Sequence, residues 1–271
     1  MLLSQLFIYP IKSLKGIAVS EMQLDASGPV QDRRWMLVDE EGLFLSQRKL
    51  PRMVLIEPRF DGSDLVLTAP GMPPLVIPKW SGQGPWVPVR IWGDDLTLPH
   101  PDPAYSDWFS SFLGRPCRLV HLPDTVTRNV ESPFDDPQWR VSLADGYPLL
   151  VLTQSAVDLL NRKLPSPLTM ERFRPNLVIT GAPPHAEDTW DKILIGSVQL
   201  AIVKPCARCS IVLIDPTTAQ SGVEPLKTLA QYRGMPKGVM FGQNALILKP
   251  GHLSVGTEIQ VCESTPSTDP A

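Results

Sequence analysis

The first hundred residues carry their apolar positions in short runs, near residues 3–9, 18–24, 35–39, 54–57, 65–68, 75–78, 87–92 and 96–98. Turn signals such as Asp39-Glu40-Glu41-Gly42, Asp61-Gly62-Ser63 and Gly93-Asp94-Asp95 separate them. Short strands at regular spacing predict a barrel or a sandwich. Helical periodicity enters later and briefly. Residues 103–114 place Trp108, Phe109, Phe112 and Leu113 at helix-compatible spacing and end on a glycine. Residues 154–164 follow Thr153 as a predicted N-cap, and residues 224–233 align Leu226, Leu229 and Tyr232 on one face. The runs at 211–214 and 245–248 read as further buried strands. The pattern predicts an α+β, β-rich fold with few short helices.

Thirty prolines in 271 residues reinforce that reading, because proline breaks helices and punctuates strands. The stretch 124–143 is polar, proline-broken and too long for an ordinary connection. Mobile surface and a lid or docking loop both fit it. The tail at 264–271 is predicted to be disordered. A hydrophobic content of 43% with 20% charged residues is that of a folded soluble chain, and a net charge of −3 argues against a nucleic-acid binder. No apolar run approaches the roughly 18–20 residues of a membrane span. The N-terminus lacks a signal peptide's basic start and cleavage site. Four scattered cysteines (Cys117, Cys206, Cys209, Cys262) do not make a disulfide framework, so a cytoplasmic location is expected.

Chemistry concentrates in a few strings. Cys206 lies in Val203-Lys204-Pro205-Cys206-Ala207-Arg208-Cys209-Ser210, between two basic side chains. Cationic neighbours favour the thiolate, the form that attacks electrophiles and binds metals. Cys206 and Cys209 form a C-x-x-C pair, yet no second pair or H-x-x-x-H accompanies them, which weakens a structural zinc site. Two inert buried cysteines fit the pattern equally well. Lys12, Ser13 and Lys15 follow the first run, Arg33 and Arg34 precede another, and Arg172 and Arg174 lead into a third. Solvated turns and anion contacts both fit these positions. Neither a P-loop nor a dinucleotide fingerprint is present, so any phosphate would be held by side chains, for which arginine forks are well shaped. Phe241-Gly242-Gln243-Asn244 offers amides suited to a heterocycle edge, or a plain strand entry.

Taken together these strings resemble the MOSC family, in the subgroup of amidoxime-reducing components and their bacterial relatives. The resemblance runs over about residues 6–261 and rests on five strings in order. They are Ile8-Tyr9-Pro10-Ile11-Lys12-Ser13-Leu14-Lys15-Gly16 with Asp32-Arg33-Arg34-Trp35, Phe173-Arg174-Pro175-Asn176, Ala186-Glu187-Asp188-Thr189-Trp190, Lys204 to Cys209, and Phe241 to Asn244. It implies a β-rich N-terminal MOSC-type domain over 1–100, packed against a MOSC β-barrel domain over 101–263. A molybdenum–molybdopterin cofactor is implied between them, with Cys206 as metal ligand and catalytic residue. Lys12, Arg33 and Arg174 match the family's phosphate-holding cations, Ser13 and Asn176 support them, and Arg208 and Asn244 are further contacts. The implied activity is reduction of N-hydroxylated compounds to amines or amidines. Its electrons come from a separate donor protein of flavoprotein, ferredoxin or cytochrome b5 type. A cofactor carrier or sulfur-delivery module is the alternative. The chain departs from relatives in lacking a ferredoxin domain and a membrane-targeting segment. It also departs at Asp145-Gly146-Tyr147-Pro148, where relatives have Thr-Ser between aspartate and proline.

Overall fold

The computed structural model describes residues 1–130 and 139–262. The chain opens with β1 (Leu2–Ile8), β2 (Ile17–Val19), β3 (Glu21–Asp25), β4 (Gly28–Pro29) and β5 (Trp35–Val38). A meander follows, β6 (Glu57–Asp61), β7 (Asp64–Thr68) and β8 (Leu75–Ile77), then the hairpin β9 (Trp86–Ile91) and β10 (Asp94–Pro99). Next come α1 (Pro103–Leu113), β11 (Arg118–His121), β12 (Leu149–Thr153), α2 (Gln154–Asn161) and β13 (Leu177–Thr180). The chain continues through β14 (Lys192–Ile195), β15 (Val198–Ala207), α3 (Leu226–Arg233) and β16 (Gly234–Met235). It closes with β17 (Gly238–Lys249), β18 (Gly251–Ser254) and β19 (Ile259–Cys262). The fold is α+β and strand-rich, as the spacing of apolar runs predicts.

Most of the late strands join one nine-stranded sheet in the order β19-β14-β15-β17-β12-β13-β1-β2, with β16 on β17. Two of its members come from the start of the chain: β1 pairs antiparallel with β13, and β2 with β1. The apolar run at 18–24 is divided at Ser20, because β2 stays with β1 while β3 leaves to pair with β18. β12 and β13 are parallel, which requires a crossover, and α2 supplies it. Leu3, Leu6, Val151, Leu177, Ile179, Leu200 and Ala245 bury one side of this sheet. A second core gathers Leu37, Met53 and Leu67 under Trp108, Phe109 and Phe112 of α1. That helix begins at Asp102, whose carboxylate caps the Ala104 amide, and stops at left-handed Gly114.

Several local expectations give way. The run at 211–214 is a 3-10 helix, Ser210–Leu213, rather than a strand. Four apolar residues do not by themselves choose between strand and helix; within the helix only Val212 is buried, in the cluster with Phe173, Leu229 and Phe241, and Ile214, buried too, follows as its C-cap. The run at 54–57 likewise begins inside a 3-10 helix, Pro51–Leu55, opened by its proline. Phe241 to Asn244 do not precede a strand but lie in the middle of β17. Thr153 stands at the N-cap of α2, yet its hydroxyl bonds Glu187 Oε2 at 2.8 Å instead of capping. Arg128, within the polar stretch at 124–143, is buried: Nη1 donates to the Ser142 and Ala144 carbonyls at 2.9 and 2.6 Å. Residues 131–138 of that stretch, and the tail at 264–271, lie outside the described residues. Among the described residues no helix is long and apolar enough to cross a membrane.

Candidate cofactor site

The eight residues singled out from sequence, Lys12, Ser13, Arg33, Arg174, Asn176, Cys206, Arg208 and Asn244, all line one open cavity. Seven chain segments meet there, β17 among them with Asn244. The loop after β1 brings Lys12 and Ser13, the turn before β5 brings Arg33, and the turn after β5 brings Arg48. The approach to β12 brings Asp145, the approach to β13 brings Arg174 and Asn176, and the end of β15 brings Cys206.

Backbone conformation at the cavity is unusual. Ser13, Arg33 and Arg174 all adopt left-handed φ values, of 66, 47 and 56°. L-residues enter that region at a cost of roughly 1–2 kcal/mol each, and such outliers gather at functional sites. Gln47 steadies the first of them, its amide donating to the Ser13 carbonyl at 2.7 Å. Cys206 owes its placement to two irregularities in the β15–β17 pairing, between Ile202 and Lys204 and between Pro205 and Ala207. Bulges of this kind re-aim side chains next to sites.

The charges are organised in two sets. Lys12 is buried and donates to the Leu143 carbonyl at 2.9 Å and to Asp145 Oδ1 at 2.6 Å. Burial brings its pKa down to about 8 despite the neighbouring carboxylate. Burial alone would raise Asp145, but the Lys12 charge and hydrogen bond, with Arg48 and Trp92, hold it well below the usual carboxylate range. Arg33 pairs with buried Asp32 and also donates to Asn176 Oδ1 at 3.1 Å. The second set has no acid. Among the described residues neither Arg174 nor Arg208 is within ion-pair distance of a carboxylate. Arg174 donates to the Leu14 carbonyl at 2.6 Å, and burial lowers its pKa to about 10. Arg208 donates to the Phe173 carbonyl at 2.7 Å, while its Nε is buried with no partner among the described residues.

Both cysteines of the C-x-x-C pair face the cavity, each beside an arginine. Arg208 Nη1 lies 3.0 Å from Cys206 Sγ, and Arg48 Nη2 lies 3.3 Å from Cys209 Sγ. Lys204, which sequence placed on the other side of Cys206, instead stands 5.8 Å over the Tyr147 ring. Asn176 does its work inside the wall. Its amide donates to the Phe7 carbonyl at 3.2 Å, and its carbonyl accepts from the Leu150 amide as well as from Arg33. Asn244 bridges strands through the Lys204 carbonyl at 3.2 Å, and Gln243 is spent on Asp188 at 2.7 Å. Sequence reasoning missed Arg48, which no motif marked, and met Asp145 only as a departure. It gave Cys209 no role.

Two thiols and an excess of cations in one cavity fit an anionic group carrying a soft metal. Guanidinium groups without acids suit a phosphate dianion, and a thiolate suits a metal of molybdenum's softness. The match is in the donor set itself.

Comparison with known proteins gives the same direction. Residues 1–116 match the MOSC N-terminal beta barrel domain, and residues 138–260 match the MOSC domain. Mitochondrial amidoxime-reducing component 1 of Homo sapiens is 35% identical over 274 residues, spanning 94% of this chain and 81% of that protein. Mitochondrial amidoxime reducing component 2 of Homo sapiens is 36% identical over 240 residues, spanning 85% and 72%. The Danio rerio component 1 is 32% identical over 94% of this chain and 83% of its own. With both domains in order, and this identity sustained over most of its length, the chain belongs to the MOSC-domain family, beside the mitochondrial amidoxime-reducing components.

Proposed function

We propose that the chain is a molybdenum-cofactor-dependent reductase of N-hydroxylated compounds, supplied with electrons by a separate protein. The observation that carries this is the convergence of Cys206, Lys12, Arg33, Arg174 and Arg208, from distant parts of the chain, on one cavity. The relatives' names supply the reaction class. A molybdenum–molybdopterin cofactor held by these residues would supply two-electron redox chemistry at a soft metal. The balanced reaction converts a hydroxylamine, two electrons and two protons to an amine and water.

Each residue then has a task. Cys206 offers the protein sulfur, and Arg208, 3.0 Å away, orients it and balances thiolate charge. Arg174, Arg33 and Lys12 hold the pterin phosphate, with Ser13 supporting at the same wall. Asn176 keeps Arg33 in place and ties the Phe7 carbonyl of β1 to the Leu150 amide of β12. Arg48 joins Asp145 to Cys209, so it links the anionic and thiol sides of the cavity. Amidoximes and N-hydroxylated bases are the substrate class.

The test is to purify the protein from a host that makes molybdopterin, measure molybdenum and pterin per chain, and assay hydroxylamine reduction with reduced viologen. Stoichiometric molybdenum with viologen-dependent amine formation is expected. Molybdenum without turnover would replace this reading by a cofactor carrier. Protein devoid of molybdenum and pterin would overturn both.

A further inference from the structure

Tyr9 belongs to one of the strings that carry the family resemblance, yet its place in the site is a matter of geometry alone. The Arg33 guanidinium carbon lies 4.3 Å from the centroid of its ring, and that of Arg174 lies 4.2 Å away. Two cations thus share one aromatic ring that is 1% exposed. The tyrosine's other groups reach the same two turns. Its amide donates to Asp32 Oδ1 at 2.7 Å, and its carbonyl accepts from the Arg33 amide at 2.8 Å. Its hydroxyl donates to the Pro175 carbonyl at 2.9 Å, one residue past Arg174. We infer that Tyr9 is the positioning residue of the cationic cradle, holding the Arg33 and Arg174 guanidiniums, and the left-handed turns that carry them, at the spacing an incoming phosphate needs.

The physical case rests on what else could do this. Two like charges on one wall repel, and the Arg33 charge does disfavour the charged form of Arg174. A carboxylate would bring them together but would cancel the charge a phosphate is to meet. Asp32 already does so for Arg33. An aromatic face attracts a guanidinium through its quadrupole and carries no net charge of its own. Arg174, with no acid among the described residues, is the cation that most needs such a partner. Burial pushes the Tyr9 phenol pKa up, so the hydroxyl remains a donor to Pro175. The sequence makes room for the ring as well. A Cβ on Gly16 would stand 2.5 Å from Tyr9 Cε1, so the glycine that ends this string is demanded by the tyrosine near its start.

The inference rests on the proposed cofactor reading, and the experiment separates the two. Nitrogen-15 spectra of the arginine side chains are recorded for wild type, Tyr9→Phe and Tyr9→Leu, and pterin retained through purification is measured on the same samples. Ring-current shifts of the Arg33 and Arg174 Nε–H signals are expected in wild type and Tyr9→Phe and absent in Tyr9→Leu. Two cation–π contacts correspond to roughly a tenfold or greater loss of pterin retention in Tyr9→Leu, with Tyr9→Phe falling far less. Wild-type spectra without those shifts overturn the inference even if Tyr9→Leu does not fold. Folded Tyr9→Leu retaining pterin at the wild-type level overturns it too. Wild type holding no pterin would instead sink the cofactor reading. Inorganic phosphate then serves as the probe, with both guanidinium signals expected to respond together in wild type and Tyr9→Phe. Independent responses would overturn the positioning role.

Discussion

At the scale of the residue, two side chains carry the proposed reading of the cavity furthest. Cys206 is half-buried and has a guanidinium 3.0 Å from its sulfur. Cys206→Ser is expected to change stability by no more than about 1 kcal/mol, because the site is partly open. Reductase activity should fall to background, and the molybdenum X-ray absorption spectrum should lose one sulfur neighbour. An active variant with an unchanged sulfur count would point to Cys209 instead. Lys12 makes the site sensitive to pH. Asp145 faces it with an opposite charge, Arg128 and Arg33 with like ones, and burial sets its pKa at about 8 against an ordinary 10.5. Between those two values the unfolded chain binds more protons at this lysine than the folded one, so apoprotein stability rises with pH across that window. Phosphate binding runs the other way, since it needs the charge. One charge-assisted contact is worth roughly 1.5–3 kcal/mol, so pterin affinity should weaken about tenfold or more as pH rises well above 8. Proton uptake should accompany binding there. Titration calorimetry in buffers of different ionisation enthalpy checks this, and Lys12→Arg should flatten the profile.

At the scale of the element, the β15–β17 pair is the device that presents the thiol. Its pairing slips between Ile202 and Lys204 and again across Cys206, between Pro205 and Ala207, and Gly242 sits opposite that irregular stretch with φ of 79°. A Cβ at 242 would lie 2.8 Å from Leu152 Cδ2 and 2.9 Å from the Val151 carbonyl, both in the neighbouring strand β12. Gly242→Ala therefore combines a left-handed alanine with overpacking, and a loss of about 2–4 kcal/mol is expected in urea unfolding. Because β12 and β17 together shape the cavity wall, the same variant should also lose pterin. Loss of stability without loss of pterin would show that the register of this pair does not govern the site. The approach to β12 has its own anchor in Arg128, whose Nη2 donates to the Asp145 carbonyl at 2.8 Å. A segment read from its composition as a surface loop thus contains a buried arginine that fixes one wall of the cavity.

At the scale of the molecule, the two ends of the chain are interleaved. β1 and β2 complete the sheet built from β12 to β19, and β18 returns to pair with β3. The cavity lies where these parts meet, so neither half of the sequence carries the site alone. Nothing in the 271 residues supplies a dinucleotide fingerprint, and the described residues hold no cluster of metal-ligating side chains for a second redox centre. On the proposed reading, in which electrons come from a separate protein, molybdenum-loaded protein is expected to give no steady turnover of a hydroxylamine with NADH as the sole reductant, while reduced viologen supports it. Amine formation followed by chromatography distinguishes these outcomes, and sustained NADH turnover would reveal an electron-entry site within the chain.

The sequence by itself determined the strand-rich class, because short apolar runs at regular spacing, punctuated by glycine, aspartate and proline, leave little alternative. It also determined the identity of the cavity's main residues, since Lys12, Arg33, Arg174 and Cys206 sit in strings whose order is informative without coordinates. What it left open depended on distance in space. Whether the 211–214 run became strand or helix was settled by where Val212 could be buried, against Phe173, Leu229 and Phe241. Arg48 lies 97 positions from Asp145 and 161 from Cys209, and no local pattern marks a residue for contacts so remote. Lys204 stands beside Cys206 in sequence but over Tyr147 in space, as Arg208 takes the sulfur. Charge type is written along the chain, while charge partnership is decided only when the sheet brings the turns together.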